Sequence, residues 1–262
     1  MRMMNIFKIP LNLTYDEILP FLGITREASP REQELILHYL KILRQKAQPI
    51  GTWQVFAVER HEPGRIILKD SPLIIEGQNT AAHFETCDLV SLLAVTLGQK
   101  LEHMLSELSK TNPAYALIFD AVASAGAEYL IEQLDAFLSS EIRHKGYFPT
   151  VRFSPGYGDW PLHWQKPFLK SLNAAKIGLT TTPYFVLQPS KSVTAALGWS
   201  NVPVKRSYQT TATPSPKACR SANTCLHCGL ASTCPDRLQE AEDHTQDTHD
   251  THDTHDKAKK TR

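Results

Sequence analysis

Residues 114 to 142, AYALIFDAVASAGAEYLIEQLDAFLSSEI, constrain the fold more than any other stretch, because they read as one long, largely apolar helix that other elements must cover. Its middle carries Ala121, Ala123, Ser124, Ala125, Gly126 and Ala127. Such small side chains let another backbone or a flat ligand come close, and tight helix packing is the simpler reading.

The neighbouring segments determine the class. Residues 14 to 24 and 29 to 46 have helical patterns; in the second, Ser29 can cap, Pro30 fits the first turn, and Glu32 completes a capping box. Leu35, Tyr39, Ile42 and Leu43 then share one face. Residues 52 to 76 are rich in β-branched and aromatic side chains and broken by Pro63-Gly64, which predicts short strands joined by turns. From 85 to 109, leucines at 89, 93, 97, 101 and 105 predict a helix closed by Thr111-Asn112-Pro113. TTPYFVLQP and SVTAALGW read as two buried strands. The expectation is an α+β fold, a mixed or antiparallel sheet packed with long helices, followed by a small Cys-rich C-terminal module.

A core of this size needs apolar material, and 42% hydrophobic against 21% charged residues supplies it. The net charge of +1 gives no global field towards nucleic acid or anionic lipid, so neither is an expected partner. LVSLLAVTLG and YALIFDAVASAGAEYLI fall short of the roughly 20 apolar residues of a membrane span. The N-terminus, interrupted by Lys8, Pro10 and Asn12, lacks a secretory pattern, which points to the cytoplasm.

Composition also divides the chain: a helical segment over 1–50, the core over 51–205, a polar linker over 206–218, a Cys-rich stretch over 219–237 and a tail over 238–262. Cys219, Cys225, Cys228 and Cys234 form C-x5-C-x2-C-x5-C, a thiolate set suited to a soft metal in a reducing compartment. Zinc, with His227 as a possible substitute ligand, and a cubane iron-sulfur cluster both remain open. The fifth cysteine, Cys87, reads as a buried thiol near a helix start. The Thr-His-Asp repeats of the tail can bury nothing and read as disordered.

Between the long helix and the last strands lies RFSPGYGDWPLHWQKPF, residues 152 to 168. Pro155 and Gly156 turn the chain, Gly158 frees the backbone beside Tyr157, and Pro161 delays the next helix. A rigid loop results, one that could hold Arg152, able to fork two hydrogen bonds to a carboxylate, and Tyr157 towards a ligand. On local grounds a structural loop with Arg152 in a surface ion pair is the simpler account.

RFSPGYGDWPL and the downstream IGLTTTPYFVLQPSKSVTAALG, with DLVSLLAVTLG and DAVASAGAEYL upstream, closely resemble the activation-domain family of cobalamin-dependent methionine synthase in its stand-alone form, over roughly residues 50 to 200. The resemblance implies binding of S-adenosylmethionine and docking on a corrinoid protein, a methionine synthase or another corrinoid methyltransferase, whose inactive cob(II)alamin is remethylated with one electron. A flavodoxin or ferredoxin would supply that electron.

It further implies that Arg152 takes the ligand carboxylate and that the backbone at Pro155 and Gly156 holds adenine or ribose. Tyr157 would lie between ligand and corrin, Tyr184 would be a second aromatic contact, and Glu128 would sit near the sulfonium. Where family members carry a second acid shortly before the Arg, this chain has HKGYF, and Glu141 is the nearest candidate. Stand-alone relatives tend to end in clustered Cys. The alternatives are a non-catalytic docking subunit and an electron-transfer adaptor built on the Cys cluster.

Overall fold

A computed structural model of the chain describes residues 5–24 and 27–204. Linker, Cys-rich stretch and tail lie outside these residues, as do Cys219, Cys225, Cys228 and Cys234, the expected metal ligands. A seven-stranded antiparallel sheet forms the middle layer. Its strands are β1 (Asn5–Lys8), β2 (Ile50–Glu62), β3 (Arg65–Leu68), β4 (Ile74–Glu76), β5 (Cys87–Thr96), β6 (Phe148–Pro149) and, named out of turn, the nine-residue strand Ser192–Ser200. The spatial order is β4, β3, β2, β5, the 192–200 strand and β6, with β1 on β2. The expected turn at Pro63-Gly64 joins β2 to β3, with Gly64 at φ +71°.

Among the described residues five α-helices pack with the sheet: α1 (Pro30–Lys46), α2 (Gln78–His83), α3 (Gln99–Thr111), α4 (Pro113–His144) and α5 (Gln165–Leu172). The predicted capping box of α1 is formed, with Ser29 Oγ accepting from Glu32 N–H and Glu32 accepting from Ser29 N–H. Residues 14–24 make one 3-10 turn over Leu19–Leu22 instead of the expected helix, because Pro20 removes a donor and Gly23, at φ +65°, stops the turn at once. The N-terminal segment, expected to be helical, also contributes β1 to the sheet.

The region 85–109 divides into strand and helix. Every residue from Val90 to Leu97 is buried. Leu93 and Val95 face a core shared with α1, α3 and α4, whereas Val90, Leu92 and Ala94 face a second core with Trp160, Phe168 and Leu169 of the loop and α5. A run that is apolar at nearly every position suits a central strand covered on both faces, and the four-residue leucine step inside it coincides with a period of two. Cys87 therefore opens β5, not a helix; it is buried, as expected. TTPYFVLQP likewise is no buried strand. It forms a small hairpin of β7 (Thr180–Thr181) and β8 (Leu187–Gln188), and the 192–200 strand, hereafter β9, follows.

At 32 residues α4 is long and apolar enough to cross a membrane by length and composition, more than the sequence reading allowed. Its most apolar window is 56% buried inside the fold, against α1, α3, β5 and β9. The small-residue stretch serves that packing: a Cβ on Gly126 would sit 3.0 Å from Leu43 and 3.3 Å from Leu97. Each fully buried aliphatic or aromatic side chain here is worth about 1.5–3 kcal/mol.

Candidate functional site

The loop after β6 hangs on the edge of β9. Thr150 N–H donates to Gly198 O (3.0 Å) and Gly198 N–H to Thr150 Oγ1 (2.9 Å), while Phe153 exchanges both backbone hydrogen bonds with Ala196 (2.9 and 2.7 Å). Ser154 Oγ donates to Thr194 O. Between these ties His83 Nε2 meets Val151 O at 2.8 Å, so that nitrogen carries the hydrogen; burial lowers the His83 pKa and the bond to the carbonyl only partly opposes it.

The turn that follows is tight. Gly156 N–H donates to Trp160 O (2.8 Å), and Gly156 and Gly158 have φ of +95° and +55°. A side chain at either would also meet the tip of Leu162 or Phe153 at 2.9 or 3.0 Å, but it is the positive φ that favours glycine.

Asp159 then bolts the loop to α2, accepting from Asn79 N–H (2.8 Å), Thr80 N–H (3.0 Å) and the Thr80 hydroxyl (2.6 Å). Burial by itself would raise its pKa, but these three donors outweigh it and hold the carboxyl below the ordinary range. Trp160 Nε1 donates to Ile74 O (3.3 Å) and Trp164 Nε1 to Glu76 Oε2 (2.8 Å). Bonds from Trp164 and Arg65 lower the pKa of Glu76. The polar and aromatic second half of the loop is thus its anchor.

Arg152 precedes that anchored turn with its side chain 21% exposed, and Tyr157 lies on the turn itself. Pro155 is buried within it, and Tyr157 is 47% exposed. Arg152 reaches across to α4, where its Nη2 lies 3.1 Å from Glu128 Oε2 and 4.0 Å from Glu132 Oε1, and its Nη1 4.0 Å from Asp135 Oδ2. Asp135 also accepts from Ser139 Oγ at 2.8 Å. Two turns nearer the start of α4, Lys191 pairs with Asp120 (2.7 Å) and donates to Ser124 Oγ (2.9 Å).

Of the predicted residues, the fold therefore joins Arg152 to Glu128 and sets Pro155, Gly156 and Tyr157 on one turn. Glu141 is not part of the cluster; it lies 4.0 Å from His144 in the last turn of α4. Tyr184 projects from the β7–β8 tip, 81% exposed, where Thr182 Oγ1 accepts from the Tyr184 and Val186 amides. Phe185 beside it has φ +65° and its ring lies 6.4 Å from His163, which brings the tip towards the loop.

Sequence reasoning missed Glu132, Asp135, Lys191 and Asp159. Glu132 had a signal in the spacing of Asp120, Ser124, Glu128 and Glu132, every fourth residue of the helix, whereas Asp135 and Lys191 lie outside that series. Asp159 had none, since its partners are 80 residues away.

The family described as vitamin B12 dependent methionine synthase, activation domain, matches residues 79–205. Among solved structures, the MetH reactivation domain bound to AdoHcy superposes with a TM-score of 0.57 at 14% identity, covering 76% of this chain and 78% of that one, which shows a shared fold. No curated protein matches the chain.

Proposed function

Since the chain belongs, through residues 79–205, to the activation-domain family of vitamin B12-dependent methionine synthase, we propose that it is a reactivation factor that binds S-adenosylmethionine and presents it to the cobalamin of a partner corrinoid protein. The observation that carries this reading is the loop: Arg152, laid against Glu128, precedes a turn that exposes Tyr157 and whose other half is locked by Asp159, Trp160 and Trp164. The AdoHcy held by the structural neighbour supports the ligand class.

Cobalamin held by the partner would supply the methyl acceptor: with one electron from a donor such as a flavodoxin or ferredoxin, the sulfonium methyl group would pass to cobalt and S-adenosylhomocysteine would leave. The chain's own task is alignment and exclusion of water, because a sulfonium donor requires no general base. Arg152 forks to the ligand carboxylate, and the backbone at Pro155 and Gly156 lies along adenine or ribose. Tyr157 separates ligand from corrin, Tyr184 extends that aromatic surface, and Glu128 sets a negative charge near the sulfonium. The zinc or iron-sulfur reading of Cys219, Cys225, Cys228 and Cys234 rests on the sequence and carries no step here.

Calorimetric titration of S-adenosylmethionine, with and without a cob(II)alamin-loaded corrinoid domain, tests this. Saturable binding that Arg152→Ala weakens at least about tenfold, 1.4 kcal/mol, is expected, followed by methylcobalamin formation with a reductant. Absence of binding in both settings overturns the reading and favours a docking subunit that never takes the ligand, consistent with an Arg152 already paired to Glu128.

A further inference from the structure

Asp135 stands where an acid is rare. It shares a face of α4 with Ile131, Leu134, Leu138 and Ile142, all fully buried, and its own side chain is only 8% exposed. A carboxylate taken out of water at such a point is tolerated when polar partners meet it. Two do so: Ser139 Oγ donates at 2.8 Å, and Arg152 Nη1 lies 4.0 Å from Oδ2.

The backbone holds Arg152 from the other end. Val151 O meets His83 Nε2 at 2.8 Å, and Phe153 is bonded both ways to Ala196, so the residues on either side of Arg152 are tied down. The side chain has a fixed root and, at Asp135, a fixed tip, and for a planar guanidinium these two points set its orientation. Glu128 and Glu132, which face Nη2, are 41% and 55% exposed, and solvated acids hold a partner only loosely.

Resting on the reading that Arg152 takes the ligand carboxylate, we propose that Asp135, braced by Ser139, is the positioning residue for that contact. It holds Nη1 from the buried side of α4 and so leaves Nη2 on the side that solvent, and a ligand, can reach. The role is orientation and not charge, because a further anion beside Arg152 weakens its pull on an incoming carboxylate. What Asp135 contributes is a guanidinium already in place, which spares the ligand the cost of ordering a flexible side chain.

Calorimetric titration of the full-length chain with S-adenosylmethionine and with its decarboxylated analogue, which keeps both the sulfonium and the amino group, isolates the carboxylate contact. Asp135→Ala is expected to weaken S-adenosylmethionine at least about tenfold and the analogue by less than about threefold. Asp135→Asn should hold S-adenosylmethionine within about threefold of wild type, since its Oδ1 can face Arg152 while its Nδ2 donates to Ser139 Oγ. Ser139→Ala, which removes the brace and keeps the acid, should give a smaller loss confined to S-adenosylmethionine, and it decides the matter should Asp135→Ala not fold. In an Arg152→Ala background the Asp135→Ala effect should vanish. Equal weakening of both ligands, no weakening of either, a loss that persists without Arg152, or tighter S-adenosylmethionine binding in Asp135→Asn overturns the positioning role while ligand binding stands. Wild-type binding of neither ligand, or of both equally, overturns the carboxylate reading of Arg152 itself.

Discussion

Asp159→Ala is the substitution that most directly tests how the loop over 152–168 is held. The carboxylate accepts from Asn79 N–H, Thr80 N–H and the Thr80 hydroxyl at 2.8, 3.0 and 2.6 Å. Removing a helix cap costs about 0.5–2 kcal/mol, and stranding a buried hydroxyl about 1–3 kcal/mol. Thr80 is 1% exposed and pays that second cost, whereas the exposed Asn79 amide recovers water. The net loss should be about 2–3 kcal/mol, a fall of roughly 5–10 °C in the thermal midpoint for a fold of this size.

The pH dependence has a defined sign. Because the folded carboxyl titrates below its unfolded value, near 3.9, its contribution is fully present above that value and is lost as pH falls through the folded pKa. Urea unfolding of wild type and Asp159→Ala, followed by tryptophan fluorescence, should therefore differ fully near neutrality and converge under acid. Asp159→Asn, which keeps one acceptor but no charge, should show a smaller loss with little pH dependence. A loss below about 0.5 kcal/mol near neutrality, within the range of an ordinary surface change, would refute the anchoring argument, as would a loss that stays constant down to the acid limit.

Two further substitutions probe the packing behind the loop. Gly198→Ala would bring a Cβ to 2.5 Å from Cys87 Sγ and 2.9 Å from both Phe84 and Thr150, so overpacking of about 2–3 kcal/mol is expected in the denaturant midpoint, and adding Cys87→Ala should recover part of it. Cys87 itself, pushed up to about 12 by burial and then by the nearby Asp88, should resist alkylation in the native chain at mildly alkaline pH and react once urea unfolds it, as read by peptide mass mapping. Rapid native labelling would contradict its burial.

Local chemistry made part of this structure legible in the sequence. Ser29, Pro30 and Glu32 marked the start of α1, Pro63-Gly64 the hairpin, and the apolar run around Ala121 the long helix. What failed was the distinction between helix and strand in residues 87–96, where burial on both faces erases periodicity, and the solvent-exposed hairpin at 180–188, whose aromatic residues resemble a buried strand. Arg152 and Tyr157 stood out as candidates on residue type, but their roles came from resemblance. Glu132 and Asp135 are ordinary helix acids until the fold lays Arg152 against them, and Asp159 is an ordinary loop acid until α2 arrives.

β9 ends the sheet on one side except for the two residues of β6, and the remaining length of its outer border is met by Thr150, Phe153 and Ser154. The loop over 150–154 is thus the guard of an open strand margin, covering backbone groups that could otherwise recruit a second chain. Changes that loosen this loop should therefore promote self-association through the margin of β9.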